Sequence, residues 1–131
     1  MVRDSEDLSK KRQRWERIIQ EAAEQSGRGL LPRLEPALPI DQALGQAQAD
    51  PLRLMFWEEA SGSTLKAALS GVSPGRAALL VGPEGGFTTG EARSARNLGF
   101  RVIKLGPRIL RAETAGLAVA AAIMYHQGEW D

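Results

Sequence analysis

Two short glycine-rich stretches hold most of the residues able to do chemistry. Gly82-Pro83-Glu84-Gly85-Gly86 follows the apolar run Ala77–Val81, and Gly106-Pro107-Arg108 follows Phe100–Leu105. Glycines let a backbone approach a ligand closely, and in an open parallel sheet ligands bind beyond the carboxyl ends of the strands. Two tight turns that merely redirect the chain are the simpler reading of the same residues. The second stretch runs on into Arg108-Ile109-Leu110-Arg111-Ala112-Glu113-Thr114. Its two guanidinium groups can grip phosphate oxygens bidentately. Glu113 is either a base or an acidic residue that favours a helix N-terminus, and Thr114 is either a ligand or a plain N-cap. Gln25, Ser26 and Arg28 cluster where a first helix should end, and polar residues there are most often only solvated. His126, near the end of the last helix, suits the helix dipole.

The elements that must position these groups follow from periodicity and punctuation. Trp15, Ile18, Ile19, Ala22 and Ala23 recur at helical spacing between Ser9 and Ser26, with Lys11, Arg12, Arg14, Glu16, Glu21 and Glu24 on the other faces and Gly27 as the stop. A proline-punctuated segment follows, in which Leu30–Leu34 is expected to form a short strand and Pro39 to open a helix through Ala47. Leu52–Trp57, Ala77–Val81 and Phe100–Leu105 read as buried strands, with a weak helix over Thr64–Leu69. Thr88 with Glu91 three residues later is a capping-box pattern, predicting a helix to Leu98 closed by Gly99. Thr114 is expected to cap a last helix reaching about Gln127. Strands alternating with helices predict one α/β domain whose parallel sheet is covered on both faces. The last helix, from Leu117 to Tyr125, has almost no polar face. Such a helix must be covered on every side, which points to a second subunit; a central helix buried within one subunit is the alternative.

Composition excludes several classes. The 131 residues carry 17 Lys plus Arg and 16 Asp plus Glu, a net charge of +1, so no long-range field argues for a nucleic-acid partner. No cysteine is present, which removes disulfides, thiolate nucleophiles and cysteine-ligated metals, and the single histidine disfavours a histidine-rich metal site or a Ser-His-Asp triad. The apolar run around Leu117–Met124 is far short of a membrane span, and the charged Met1–Asp7 is no signal peptide, so a cytoplasmic location is expected. Neither G-x-x-x-x-G-K-[ST] nor G-x-G-x-x-G follows any expected strand, so the glycine turns are not a standard phosphate or dinucleotide loop.

Taken together, Leu79-Leu80-Val81-Gly82-Pro83-Glu84-Gly85-Gly86-Phe87 followed by Glu91, and Leu105-Gly106-Pro107-Arg108-Ile109-Leu110-Arg111-Ala112-Glu113-Thr114-Ala115, closely resemble the RsmE family. These are SPOUT-class methyltransferases acting on N3 of a uridine in small-subunit (16S) ribosomal RNA. Arg14-Trp15-Glu16-Arg17, Glu21-Ala22-Ala23-Glu24-Gln25-Ser26-Gly27-Arg28 and Pro32 match the same family upstream, so the resemblance runs from about Arg12 to the C-terminus.

The resemblance implies an α/β knot fold with a C-terminal trefoil knot, a feature that pattern alone would never suggest because knots are so rare. It also implies a homodimer and S-adenosyl-L-methionine as cofactor. By position, the cofactor would be held by Trp57, Glu58, Val81, Gly82, Pro83, Glu84, Gly85, Gly86, Leu105, Gly106, Ile109, Leu110, Thr114 and Ala115. Glu113, Arg111 and Arg108 would be catalytic, and Gln25, Arg28, Arg108 and Arg111 would meet RNA. No metal is implied.

Members of this family are nearly twice as long. They begin with a PUA-like β-barrel that binds RNA, then a strand and helix that open the methyltransferase domain. Neither has a counterpart in this sequence. Residues 1–131 are therefore expected to be a methyltransferase domain incomplete at its N-terminus, with cofactor loops intact, RNA grip weakened and little or no activity on its own. Two other functions stay open at this point: an adenosylmethionine-binding dimer without catalysis, and a SPOUT enzyme acting on tRNA or another rRNA base.

Overall fold

The computed structural model describes residues 5–27, 29, 31–60, 63–72, 75–82, 86–105 and 112–128, without the side chains of 5–7, 112 and 113. The chain divides into two compact units, residues 1–37 and 38–131.

The first unit is built on helix α1 (Ser5–Gln25), which begins four residues earlier than its apolar periodicity suggests. Arg12 organises it. Its Nε pairs with Glu16 Oε1 at 3.0 Å one turn on, and its Nη2 donates to the Leu34 carbonyl at 2.9 Å, so one guanidinium ties the extended segment to the helix. The strand expected over Leu30–Leu34 does not form: residues 31–39 have no sheet pairing, and Leu30 lies outside the described residues. Pro32, Pro36 and Pro39 each lack the N–H that a sheet ladder needs, and the Leu34 carbonyl is already taken by Arg12.

The second unit is a parallel sheet between helices. Strands β1 (Leu52–Phe56), β2 (Ala77–Val81) and β3 (Arg101–Ile103) lie in the order β2-β1-β3. Phe56 stands opposite both Val81 and Ile103, so all three strands end at the same level. Alternation divides the side chains between two cores. Leu52, Leu54, Phe56 and Ile103 pack with Ala68 and Leu69 of α3 (Leu65–Leu69) and Val119 and Ile123 of α5 (Ala112–His126). On the opposite face, Met55, Phe100 and Val102 pack with Leu44 of α2 (Ile40–Gln46) and Ala92 and Ala95 of α4 (Thr89–Asn97). The expected sheet with helices on both faces is thus what the chain forms. The strands themselves are shorter than expected: β1 stops before Trp57, and β3 leaves out Phe100, Lys104 and Leu105.

Local signals set the helix ends. Thr88 Oγ1 accepts from the Glu91 N–H at 3.0 Å while Glu91 Oε1 accepts from the Thr88 N–H at 2.8 Å, the predicted capping box. Thr64 caps α3 through the Ala67 N–H at 3.1 Å. Pro39 stands just before α2 as its N-cap, and a single 3₁₀ turn over Ala47–Ala49 follows that helix. The expected cap at Thr114 is not one. Helix α5 begins at Ala112, which leaves Thr114 exposed as its third residue.

The helix α5 is covered on one side only. Ala115, Val119 and Ile123, four residues apart, are buried, whereas Leu117, Met124 and Tyr125 are 74%, 40% and 67% exposed. A helix buried all round within one chain is therefore not what forms.

Candidate functional site

The amino ends of the strands are closed by polar contacts. Arg53 Nη1 donates to the Gln48 carbonyl at 3.0 Å, Gln48 Nε2 donates to the Leu98 carbonyl at 2.8 Å, and Arg76 pairs with Asp50 at 3.0 Å. The carboxyl ends differ. There the chain leaves β1 through Trp57-Glu58, β2 through Gly82 and β3 through Lys104-Leu105, three exits side by side at the end of one sheet. This is the edge at which parallel α/β sheets place ligands.

Trp57 joins these exits. Its backbone N–H donates to the Ile103 carbonyl at 2.9 Å, extending the β1–β3 pairing by one step. Its indole Nε1–H donates to the Phe87 carbonyl at 2.9 Å, thirty residues away. The Phe87 ring in turn lies against Gly82, where an added Cβ would sit 3.0–3.2 Å from three ring carbons. Only glycine allows that approach without pushing the ring away. At the far end of the turn, Gly86 has φ +76°, and a Cβ there would meet nothing within 4 Å. Val81 and Leu105, both half-buried, pack against the core on the α5 side and give this edge an apolar floor.

Of the residues expected to hold a cofactor, Trp57, Glu58, Val81, Gly82 and Leu105 stand at this edge, with Gly86 closing the turn that leaves it. Glu58 is exposed. Thr114 and Ala115 lie in the first turn of α5, the former exposed and the latter buried. Pro83, Glu84, Gly85, Gly106, Ile109 and Leu110 lie outside the described residues, as do Arg108, Arg111 and Arg28. Glu113 is the second residue of α5, and its side chain is likewise outside them. Gln25 ends α1, exposed, and lines an open depression with Ile18, Glu21, Ala22 and Ser26. Sequence reading missed Phe87 as a site residue. The signal available was a bulky ring directly after paired glycines, where the chain has room to fold an aromatic back on itself. Among the described residues no cluster of His, Asp or Glu could hold a metal.

The described part of the edge offers backbone groups, Gly82 and Gly86, and the apolar floor of Val81 and Leu105. It suits a ligand held by shape and main-chain hydrogen bonds, and it defines an α/β domain with a single-ended binding edge. The chain belongs to the RNA methyltransferase domain family, whose profile matches residues 1–124. This bears out the resemblance carried by the two glycine-turn motifs. Ribosomal RNA small subunit methyltransferase E of Mesomycoplasma hyopneumoniae is 39% identical over 113 residues, covering 86% of this chain and 48% of the relative. The Bacillus subtilis protein of the same name is 39% identical over 127 residues, covering 93% and 50%. A crystal structure of ribosomal RNA small subunit methyltransferase E from Neisseria gonorrhoeae bound to S-adenosyl methionine matches with a TM-score of 0.82 at 33% identity, covering 100% of this chain and 52% of that one. The chain spans about half the length of the curated relatives it matches.

Proposed function

We propose that this chain is the cofactor-binding, dimer-forming part of a methyltransferase that uses S-adenosyl-L-methionine to methylate N3 of a uridine in small-subunit (16S) ribosomal RNA. One observation carries the reading: three parallel strands end level, β2 running into Gly82, in a chain whose match to an enzyme solved with S-adenosyl methionine covers 100% of it at 33% identity. The glycine at 86, with φ +76°, and the apolar floor of Val81 and Leu105 fit a ligand whose adenine needs shape and close backbone contact more than a phosphate cradle. Gly82 to Gly86, Leu105 to Leu110 and Thr114-Ala115 would hold it, with Trp57-Glu58 completing the wall.

Bound S-adenosyl-L-methionine supplies a methyl group on a sulfonium, ready for transfer to a nucleophile. The chain's own residues must prepare that nucleophile. Uridine N3 is a weak acid, so its proton has to leave before or during transfer, and Glu113 is the base that takes it. Arg111 and Arg108 stabilise the uracil anion that develops, and positioning supplies much of the remaining acceleration. Gln25 and Arg28 contact the RNA. The exposed face of α5 packs on a second copy of the chain, and α5, threading back through an earlier loop, makes the trefoil knot. No described helix is long and apolar enough to cross a membrane, in keeping with a cytoplasmic enzyme working on ribosomal RNA.

The test is a calorimetric titration of the chain with S-adenosylhomocysteine, followed by transfer of labelled methyl to unmodified 16S rRNA and tRNA side by side. Saturable binding at one site per subunit is expected of this chain, and label at uridine N3 of the 16S rRNA is expected of a full-length version, in which the turnover of variants is read. Glu113→Gln should leave binding intact and lower turnover by roughly 100-fold or more, the usual worth of a general base. Full turnover in that variant removes Glu113 as the base, and absent binding removes the reading as a whole.

A further inference from the structure

We propose that helix α1 carries an RNA-docking face, on which Trp15 stacks against a base of an unpaired strand of the ribosomal RNA substrate while Arg14 and Arg17 hold its phosphates. The proposal rests on the RNA reading above and gives a task to residues that reading leaves unused.

Positive charge is concentrated here. Five of the ten residues from Leu8 to Arg17 are Lys or Arg, in a chain whose net charge is only +1. Glu16, the one carboxylate in that stretch, is held by Arg12 at 3.0 Å. Arg14 and Arg17, three residues apart and so on one side of the helix, are both exposed and have no hydrogen bond or ion pair among the described residues. Trp15 and Ile18 run beside them, one position further on. The covered side of α1 lies elsewhere. Ala23 is buried and Ile19 half-buried, whereas Trp15 is 41% and Ile18 50% exposed. From Ile18 the apolar strip continues through Ala22 along the open depression to Gln25, already read as an RNA contact. Glu21, on the rim of that depression, marks where the positive stretch ends.

This pattern favours one kind of partner. A protein docking on Trp15 and Ile18 would have to bring a carboxylate to each neighbouring guanidinium or leave it buried unpaired. An RNA strand meets both demands with one repeating unit. Its phosphates accept bidentate bonds from Arg, and an unstacked base of any identity offers its face to an indole.

The test is an anisotropy titration of this chain with labelled single-stranded oligonucleotides copied from 16S rRNA around the target uridine, at salt concentrations between about 50 and 200 mM. Arg14→Gln combined with Arg17→Gln should flatten the slope of log affinity against log salt by about 1.4, two phosphates at about 0.7 each. Trp15→Ala should weaken binding by roughly 5- to 150-fold, the worth of one stacked base, at an unchanged salt slope. Trp15→Phe, which keeps an aromatic face, should recover most of that loss. Affinity of the same samples for S-adenosylhomocysteine checks that each variant is folded.

No saturable RNA binding by the wild-type chain at the lowest salt, equal binding by the variants, or equal losses in Trp15→Phe and Trp15→Ala each overturn the RNA face. So does a fall in self-association of Trp15→Ala with RNA binding unchanged, which makes this side of α1 a contact between copies. All of these leave the cofactor reading in place. Absent S-adenosylhomocysteine binding by the wild-type chain overturns the cofactor reading, and the RNA titration then decides the face on its own.

Discussion

Helices α4 and α5 cover opposite faces of the same sheet, and they are finished in different ways. Everything α4 needs is inside the chain. Its capping box satisfies its first turn, Ala92 and Ala95 are buried against Met55, Phe100 and Val102, and charged Arg93 and Arg96 face outward. By contrast α5 buries Val119 and Ile123 in much the same manner, yet Leu117, Met124 and Tyr125 stand in water on its far side. Solvent, an adequate partner for one helix, is a costly one for the other, since each large apolar side chain left exposed forgoes about 1.5–3 kcal/mol of burial. An amphipathic helix is finished by solvent, whereas a helix apolar on both sides fits the second copy of the chain proposed above.

Charge placed on either side of α5 separates those two tasks. Val119 is fully buried, so Val119→Asp puts an unpaired carboxylate in the core shared with Leu54 and Ile103, and should cost more than about 4 kcal/mol. Urea unfolding should show little or no cooperative transition for this variant. A clear transition near the wild-type midpoint would mean that the α5 core is loosely formed. Leu117→Asp combined with Tyr125→Asp adds the same charges on the exposed side. Within one chain these should change stability by about 0.5 kcal/mol or less, while sedimentation velocity should show a shift from dimer to monomer. A dimer that persists would place the interface elsewhere and leave α5's outer face unexplained.

How much of this was legible follows from how far apart the contacting residues lie. The Thr88–Glu91 box needs only a spacing of three, and it stands as expected. The alternation of strands with helices needs only local pattern, and it too holds, although β2, at the sheet edge, is half-buried throughout where the pattern predicts a buried strand. Reading fails where the partner is distant. Leu30–Leu34 has the apolar side chains of a strand, but whether a strand forms depends on a neighbour to pair with, and Arg12 takes the Leu34 carbonyl instead. Thr114 has the chemistry of a cap, but the helix had already begun at Ala112. At the candidate edge the end of β2 before Gly82 was visible because glycines punctuate. The bond from Trp57 to Phe87 was not, because it joins two loops thirty residues apart that only the β1–β2 register brings together.

The smallest effect tests the closed helix against the open one most directly. Thr88→Ala removes the hydroxyl that accepts the Glu91 N–H, and it frees Glu91 from the reciprocal bond to the Thr88 N–H. Loss of an N-cap of this kind costs about 1 kcal/mol. The start of α4 follows the glycine turn directly, so fraying there should reach Phe87 and, through it, Gly82. Urea midpoints should therefore fall by the amount a lost cap predicts, with S-adenosylhomocysteine affinity falling by a few-fold alongside. Thr88→Ser, which keeps the acceptor, should restore both. If stability falls and affinity does not, the start of α4 and the strand-end edge are independent of one another, and the helix serves only to cover its face of the sheet.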